Sequence, residues 1–229
     1  MIKSVTILRS KQGTSKSVDH IMRDKKDNAL IIFLKNPQEG YVKTRLASQI
    51  GDAEALSVYQ QLLEHTRNVA LESGADAHLF YSDYIDEQDK WPATDFSKHE
   101  QTGDTLGEKM LNAFETIAEQ GYEKMVIIGS DCPEITTQII DDAFARLDEY
   151  DVVIGPAMDG GYYLLGMNVV YEQLFRGIEW SSEHVFDQTI YSMQQEGIVW
   201  YEMPILSDVD TEDDLPKMRK ITGRAKVSE

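Results

Sequence analysis

Three cations stand close behind one apolar run. Lys35, Lys43 and Arg45 lie in KNPQEGYVKTRLA, directly after Ala29–Leu34, while only about seven more basic side chains occur between Leu46 and Pro216. A turn-rich loop that follows a buried strand, opens near a helix and carries Lys and Arg is suited to cradling phosphate. It is not a nucleotide-binding loop of the Gly-x4-Gly-Lys-Ser/Thr kind, because that spacing is missing. The blander reading is a solvated basic loop.

Carboxylates recur at comparable places. Asp131 follows the apolar run Lys124–Gly129 within GSDCP. An acid at the end of a buried strand is costly unless it is paired or metal-bound, and Mg²⁺ takes one or two carboxylates together with phosphate oxygens and waters. Asp131 could equally cap the next helix. Cys132 reads as a small buried residue, since no histidine lies near it in sequence to activate it. Asp208 and Asp210, in SDVDTEDDL, alternate along an extended chain, so both can face one cation. Thr211 with Asp214 resembles a capping box, which makes part of that acidic run a helix start. Asp159 precedes Gly160 and Gly161, two residues that let the backbone approach a ligand or simply make a hairpin turn.

Two further segments are suited to recognition. Gln101 to Met110 (QTGDTLGEKM) places polar groups and Gly107 at the start of a helix, where a base could be read by the backbone. Trp180-Ser181-Ser182-Glu183 sets an aromatic face beside hydroxyls and an acid, as sugar-acceptor sites often do. Each segment can also be an ordinary helix N-terminus, with Trp180 as core filling.

The elements that must position these groups follow from periodicity. Ala29–Leu34, Ala77–Tyr81, Lys124–Gly129, Asp151–Pro156 and Tyr162–Gly166 read as strands, and Ile198–Tyr201 leads into the late acidic run. Helical spacing covers Asp52–Ser73, Leu106–Gln120 and a stretch from Thr136 or Thr137 to about Leu147, and a last helix starts near Thr211. Strands alternating with helices predict an α/β, three-layer sandwich around a mostly parallel sheet. In such a sheet ligands bind at the carboxyl ends of the strands, where Lys35, Asp131, Asp208 and Asp210 all fall. Residues 1–28 are polar and lysine-rich and read as an N-terminal extension, with a short strand at Val5–Leu8. Residues 29–229 form one expected domain.

Composition narrows the function classes. The chain has 229 residues, 41% hydrophobic, and a formal charge of −18. The extension holds about seven of the 22 basic and three of the 40 acidic side chains, leaving a body near −22. Such a body repels nucleic acid and anionic lipid, and it also repels a diphosphate unless metal ions and placed cations reverse the potential locally. No apolar run of about 18 residues occurs, so no integral membrane segment is expected. One cysteine excludes an internal disulfide, suits a reducing cytoplasm and argues against zinc.

Taken in order, KNPQEGYVKTRLA, QTGDTLGEKM, VIIGSDCPEI, DVVIGPAMDGGYYLLGM, LFRGIEWSS and SDVDTEDDL give the chain a family likeness. From about Ala29 to Leu215 it resembles the bacterial glycosyltransferase-A-like (GT-A) transferases associated with radical-SAM and selenocysteine-containing proteins, some of them linked to arsenosugar biosynthesis. The resemblance implies a nucleotide-diphospho-sugar transferase fold, a nucleotide-sugar or nucleotide substrate and a small-molecule acceptor. It further implies that Lys43 and Arg45 meet phosphates, that Gln101 and Gly107 lie by the base, and that Asp131 takes the role of a D-x-D metal aspartate for Mg²⁺ or Mn²⁺. This chain has a single Asp in that motif, so Asp208 or Asp210 is the expected second ligand. Trp180-Ser181-Ser182 departs from a Trp-Ser-Thr pattern but keeps the hydroxyl. Glycosyl transfer, with Asp159 or Glu183 deprotonating the acceptor, is the leading expectation. The same fold also serves nucleotidyltransferases such as phospholactate guanylyltransferase, and a degenerate nucleotide binder is the third class.

Overall fold

The computed structural model describes residues 26–223, so the expected Val5–Leu8 strand and nearly all of the N-terminal extension lie outside the described residues. Among the described residues seven strands form one sheet: β1 (Lys26–Leu34), β2 (Asp76–Tyr81), β3 (Phe96–Glu100), β4 (Tyr122–Ile128), β5 (Val152–Pro156), β6 (Tyr162–Met167) and β7 (Trp200–Glu202). Their order is β3-β2-β1-β4-β6-β5-β7. β1 pairs in parallel with β2 and β4, β2 with β3, and β5 with β7, while β6 runs antiparallel between β4 and β5. The sheet is therefore mostly parallel, with one reversed strand, and β1 begins at Lys26, three residues ahead of the apolar run.

The apolar alternation of β1 shows why the sheet is covered twice. Leu30, Ile32 and Leu34 pack with Tyr59 and Leu63 of α2 (Asp52–Glu72) and with Ile140 and Phe144 of α4 (Thr137–Arg146). Ala29 and Ile31 face the other way, against Phe114 and Ile117 of α3 (Leu106–Ala118) and Met193 of α5 (Val185–Glu196). Both faces exclude water, which is why these strands read as continuous hydrophobic runs. The result is the expected three-layer α/β sandwich.

Helix boundaries follow side-chain chemistry. Thr105 and Glu108 form a capping box at the start of α3, and the Thr136 side chain caps α4. The Thr211–Asp214 box is also present, but it opens a short 3₁₀ turn, Glu212–Asp214, before α6 (Leu215–Thr222).

Three elements go beyond the sequence reading: α5, a helix between β6 and β7, and the two that follow. β3 is an edge strand whose residues, apart from Phe96, are polar or partly exposed, so no hydrophobic run announces it. α1 (Thr44–Ile50) is too short to show a period, with Leu46 and Ala47 as its buried residues. These two, with Ala55, Val58 and Leu62 of α2 and with Val209, Leu215 and Met218, form a third, smaller apolar cluster. That cluster ties the loop after β1 to the chain after β7. Among the described residues no helix is long and apolar enough to cross a membrane.

Candidate functional site

The loops after β1, β4, β5 and β7 converge at the carboxyl edge of the sheet. Val209 is buried in the third apolar cluster at 1% exposure. Period-two alternation therefore turns Asp208 and Asp210 together toward the site. The Val209 N–H donates to the Asp131 carbonyl at 3.2 Å, fixing the acidic segment beside the end of β4. Asp214 accepts from the backbone N–H of Asp210 (3.0 Å) and of Thr211 (2.8 Å), and these bonds outweigh burial to hold its own carboxyl below the usual range.

Opposite them stands Lys43. Its Nζ lies 2.8 Å from Asp131 Oδ2 and 3.5 Å from Asp210 Oδ1, while Arg45 reaches Asp210 Oδ2 at 3.1 Å. Burial pushes the Lys43 ammonium down, but Asp131, Asp210 and Asp208 outweigh it and leave its pKa raised. The Lys43 side chain is 6% exposed and that of Arg45 78%, so the first is an internal charge and the second a surface one.

Asp208 is the outlier of this array. Its Oδ1 is buried and has no hydrogen-bond partner. Burial first, then the carboxylates of Asp131, Asp159 and Asp210, raise its pKa to about 8 against the opposing pull of Lys43. Uncompensated buried carboxylate oxygen is costly, and a divalent cation is the partner that such an oxygen fits best. Among the described residues no three His, Cys, Asp or Glu side chains are gathered as a ready-made metal cage. The set fits an ion whose remaining ligands are phosphate oxygens and water. Cys132 is buried and its thiol is pushed up to about 12, mainly by burial, so it is no nucleophile at neutral pH.

The rest of the expected site divides into groups held by hydrogen bonds and groups held by shape. The Lys35 backbone both donates to and accepts from the Tyr59 hydroxyl, at 2.8 and 3.1 Å, and that hydroxyl also meets Ser130 Oγ at 3.1 Å. The Gln101 side-chain amide donates to the carbonyls of Phe80 (2.9 Å) and Leu34 (3.4 Å), closing the ends of β1 and β2. That is a structural use of a residue expected at the base. Asp159 Oδ1 accepts from the Gly161 N–H at 2.9 Å and so holds the Gly160-Gly161 turn.

Gly107 and Gly160 serve a common purpose. A Cβ on Gly107 would lie 2.4 Å from Trp180 Nε1, and one on Gly160 would lie 2.1 Å from the Glu183 carbonyl oxygen. The Phe186 N–H also donates to the Gly160 carbonyl at 2.9 Å. The Trp180–Glu183 segment is thereby seated on the start of α3 and on the Asp159–Gly161 turn. Among the described residues, the non-glycine positions with positive φ are Lys43 (48°) and Ser181 (65°), one in each half of this site. Strain of that kind gathers at functional sites.

Sequence reasoning missed Tyr59, Val209 and Glu134. Helical spacing places Tyr59 inward without showing where its hydroxyl ends. Glu134 Oε1 accepts from Ser207 N–H (3.0 Å) and Ser207 Oγ (2.8 Å), and from Lys217 Nζ at 2.5 Å, anchoring the chain just before Asp208. No local pattern signals that long-range contact.

Comparison with known proteins agrees with this architecture. A family model described as an uncharacterized protein conserved in bacteria (DUF2064) matches residues 62–182. No curated protein matches the sequence. A crystal structure from Desulfovibrio desulfuricans G20, described as a candidate nucleotide-diphospho-sugar transferase, is similar with a TM-score of 0.80 at 29% identity, over 88% of this chain and 91% of its own. A CMP-2-keto-3-deoxy-manno-octonic acid synthetase complexed with CTP (TM-score 0.57, 11% identity) covers 87% of this chain and 100% of its own. A nucleotidyl transferase from Methanothermobacter (TM-score 0.59, 13% identity) covers 89% and 100%. The last two share the fold alone. Together they place the chain in the nucleotide-diphospho-sugar transferase type of α/β fold.

Proposed function

The chain belongs to the bacterial family described as DUF2064, and from that premise and the geometry above we propose that it is a metal-dependent transferase that moves a sugar from a nucleotide-diphospho-sugar to a small acceptor. The observation that carries this reading is the meeting of Lys43 with Asp131, Asp208 and Asp210 at the carboxyl edge of the sheet. In a chain of charge −18, those cations and an ion are what a diphosphate requires.

Asp131 and Asp208 are the carboxylates that would hold Mg²⁺ or Mn²⁺, with Asp210 beside them. The unpartnered Asp208 Oδ1 is the feature that fits such an ion. When bound, the ion supplies Lewis-acid stabilisation of the diphosphate leaving group. Lys43 and Arg45 lend positive charge where negative charge develops. Lys35, on the same loop, is a further cation for the phosphates. The polypeptide from Gln101 to Gly107 borders the base, and the Gly160-Gly161 turn lets the backbone come near the sugar. Trp180 and the adjoining hydroxyls face the acceptor, whose proton passes to Asp159 or Glu183. The finer link to arsenosugar synthesis, and action in the cytoplasm, belong to this reading as its most detailed consequences.

Thermal shift with nucleoside diphosphates, triphosphates and nucleotide-sugars, each with Mn²⁺ and with chelator, tests it. A ligand at 100 times its Kd adds about 2.7 kcal/mol of stability. Stabilisation by one nucleotide-sugar or diphosphate, dependent on Mn²⁺ and lost in Asp131→Asn, is the expected result. Stabilisation by a triphosphate alone, with pyrophosphate released, would replace glycosyl transfer by nucleotidyl transfer. Stabilisation by a nucleotide that survives chelator and Asp131→Asn, with no turnover, would leave a degenerate binder, and no shift with any ligand would overturn the nucleotide reading itself.

A further inference from the structure

Lys43 sets an ammonium among the carboxylates at the carboxyl edge of the sheet. Its ammonium contacts Asp131 and Asp210 and feels the charge of Asp208, and Asp131 and Asp208 are the carboxylates that the reading above assigns to the divalent ion, with Asp210 beside them. Its side chain is almost wholly inside. Its backbone is left-handed, φ 48 and ψ 46, at the residue before α1, a conformation that few non-glycine residues hold without a compensating contact. The ion pair is that compensation. The chain therefore spends backbone strain to turn one ammonium inward among acids. Arg45, two residues on, is mostly exposed and meets the other oxygen of Asp210.

An ammonium and a divalent ion repel one another strongly at ligand distance in a partly buried site. We propose that Lys43 is a built-in counter-cation, which holds the Asp131–Asp208–Asp210 set in the chain alone, yields it to a divalent ion and turns to the diphosphate that accompanies the ion. This rests on the metal-and-diphosphate reading above. The exchange makes and breaks no covalent bond. One positive charge leaves the carboxylates, two replace it, and the released ammonium meets a phosphate oxygen. Metal and diphosphate then bind as a cooperative pair, each tightening the other by the same factor. Metal alone must displace Lys43 with nothing to receive it, and diphosphate alone can draw Lys43 away only by leaving the carboxylates bare.

Mn²⁺ binding to the full chain, followed by calorimetry with Mn²⁺ alone and with Mn²⁺ plus inorganic pyrophosphate, tests the exchange independently of any base or sugar. In Lys43→Met, Mn²⁺ alone is expected to bind at least tenfold more tightly than in the parent chain. Pyrophosphate is expected to tighten Mn²⁺ tenfold or more in the parent chain and in Lys43→Arg, and far less in Lys43→Met. Equal Mn²⁺ affinity in the parent and Lys43→Met, or undiminished coupling in Lys43→Met, overturns the counter-cation while leaving the metal site standing. Failure of every chain to bind Mn²⁺ overturns the underlying reading instead. Should Lys43→Met unfold in chelator, circular dichroism gives the same decision. Refolding on addition of Mn²⁺ alone supports the exchange, and failure to refold, with Lys43→Arg folded, overturns it.

Discussion

The two halves of the candidate site are built by different physics. On one side, Lys43, Asp131, Asp208 and Asp210 are held by charge, by the hydrogen bond from Val209 to Asp131, and by the apolar cluster under α1 and α6. On the other, the Trp180–Glu183 segment is held by shape, its indole and backbone filling the space left by two absent side chains at Gly107 and Gly160. Each half carries one left-handed non-glycine residue. At Lys43 the conformation aims a charge into the site; at Ser181, an exposed residue, it turns a corner in the chain. The charged half should answer to pH, salt and metal, and the shaped half to volume.

The contrast breaks first at Gly160. A Cβ there overlaps the Glu183 carbonyl oxygen, a backbone atom, in a glycine whose φ is +87°. Both the overlap and the conformation oppose alanine. Gly160→Ala is expected to cost about 3 kcal/mol in urea unfolding, with little dependence on salt. A large salt dependence would mean that the shaped half is also held by charge.

The charged half is tested by pH. Asp208 in the folded chain has a pKa raised to about 8, whereas in the unfolded chain it ionises near 4. Between those values the unfolded chain binds fewer protons than the folded one. Stability in chelator should therefore fall as pH rises from about 4 to about 8, after which this contribution is constant. Asp208→Asn removes the buried charge. It should raise stability at pH 8 by about 2 kcal/mol and flatten the pH profile across that window. A profile as steep as that of the parent would assign the dependence to another group.

The sequence revealed the charged half better than the shaped half, and for a physical reason. Lys35 and Asp131 follow apolar runs, and Asp208 and Asp210 alternate with the buried Val209, so one-dimensional period already points them to the strand ends, with Lys43 and Arg45 further along the same basic loop as Lys35. The partners of Gly107 and Gly160 lie far along the chain, and nothing in QTGDTLGEKM or in the Asp159–Gly161 turn announces Trp180 or the Glu183 carbonyl. Gln101 shows a use that no local pattern announces: the resemblance sets it beside the base, and its amide also ties the ends of two strands. The layered fold was legible because six of seven strands leave an apolar run, whereas β3, polar and at the edge, leaves none.

Gly107→Ala sharpens the comparison at a smaller scale. Here the obstacle is a side chain, the Trp180 indole, which can move where the backbone at Glu183 cannot. The expected cost is about 2 kcal/mol, with a red-shifted Trp180 emission when Trp91 and Trp200 are both replaced by Phe. Unchanged emission would mean that the indole is not seated on α3.

The smallest effect separates the two strained residues. Glycine at position 181 accepts φ 65° without steric cost, and no ion pair depends on the Ser181 side chain. Relief of strain and the extra entropy of an unfolded glycine oppose each other, so Ser181→Gly should stabilise the fold by only about 0.5 kcal/mol. Lys43→Gly relieves the same kind of strain but strands Asp131 and Asp210 without their internal cation, and should destabilise the chain in chelator. Opposite signs in paired urea melts would show that left-handed backbone turns a corner on one side and aims a charge on the other. If both variants gained stability, Lys43 would be strained for nothing, and the charged half would hold together without it.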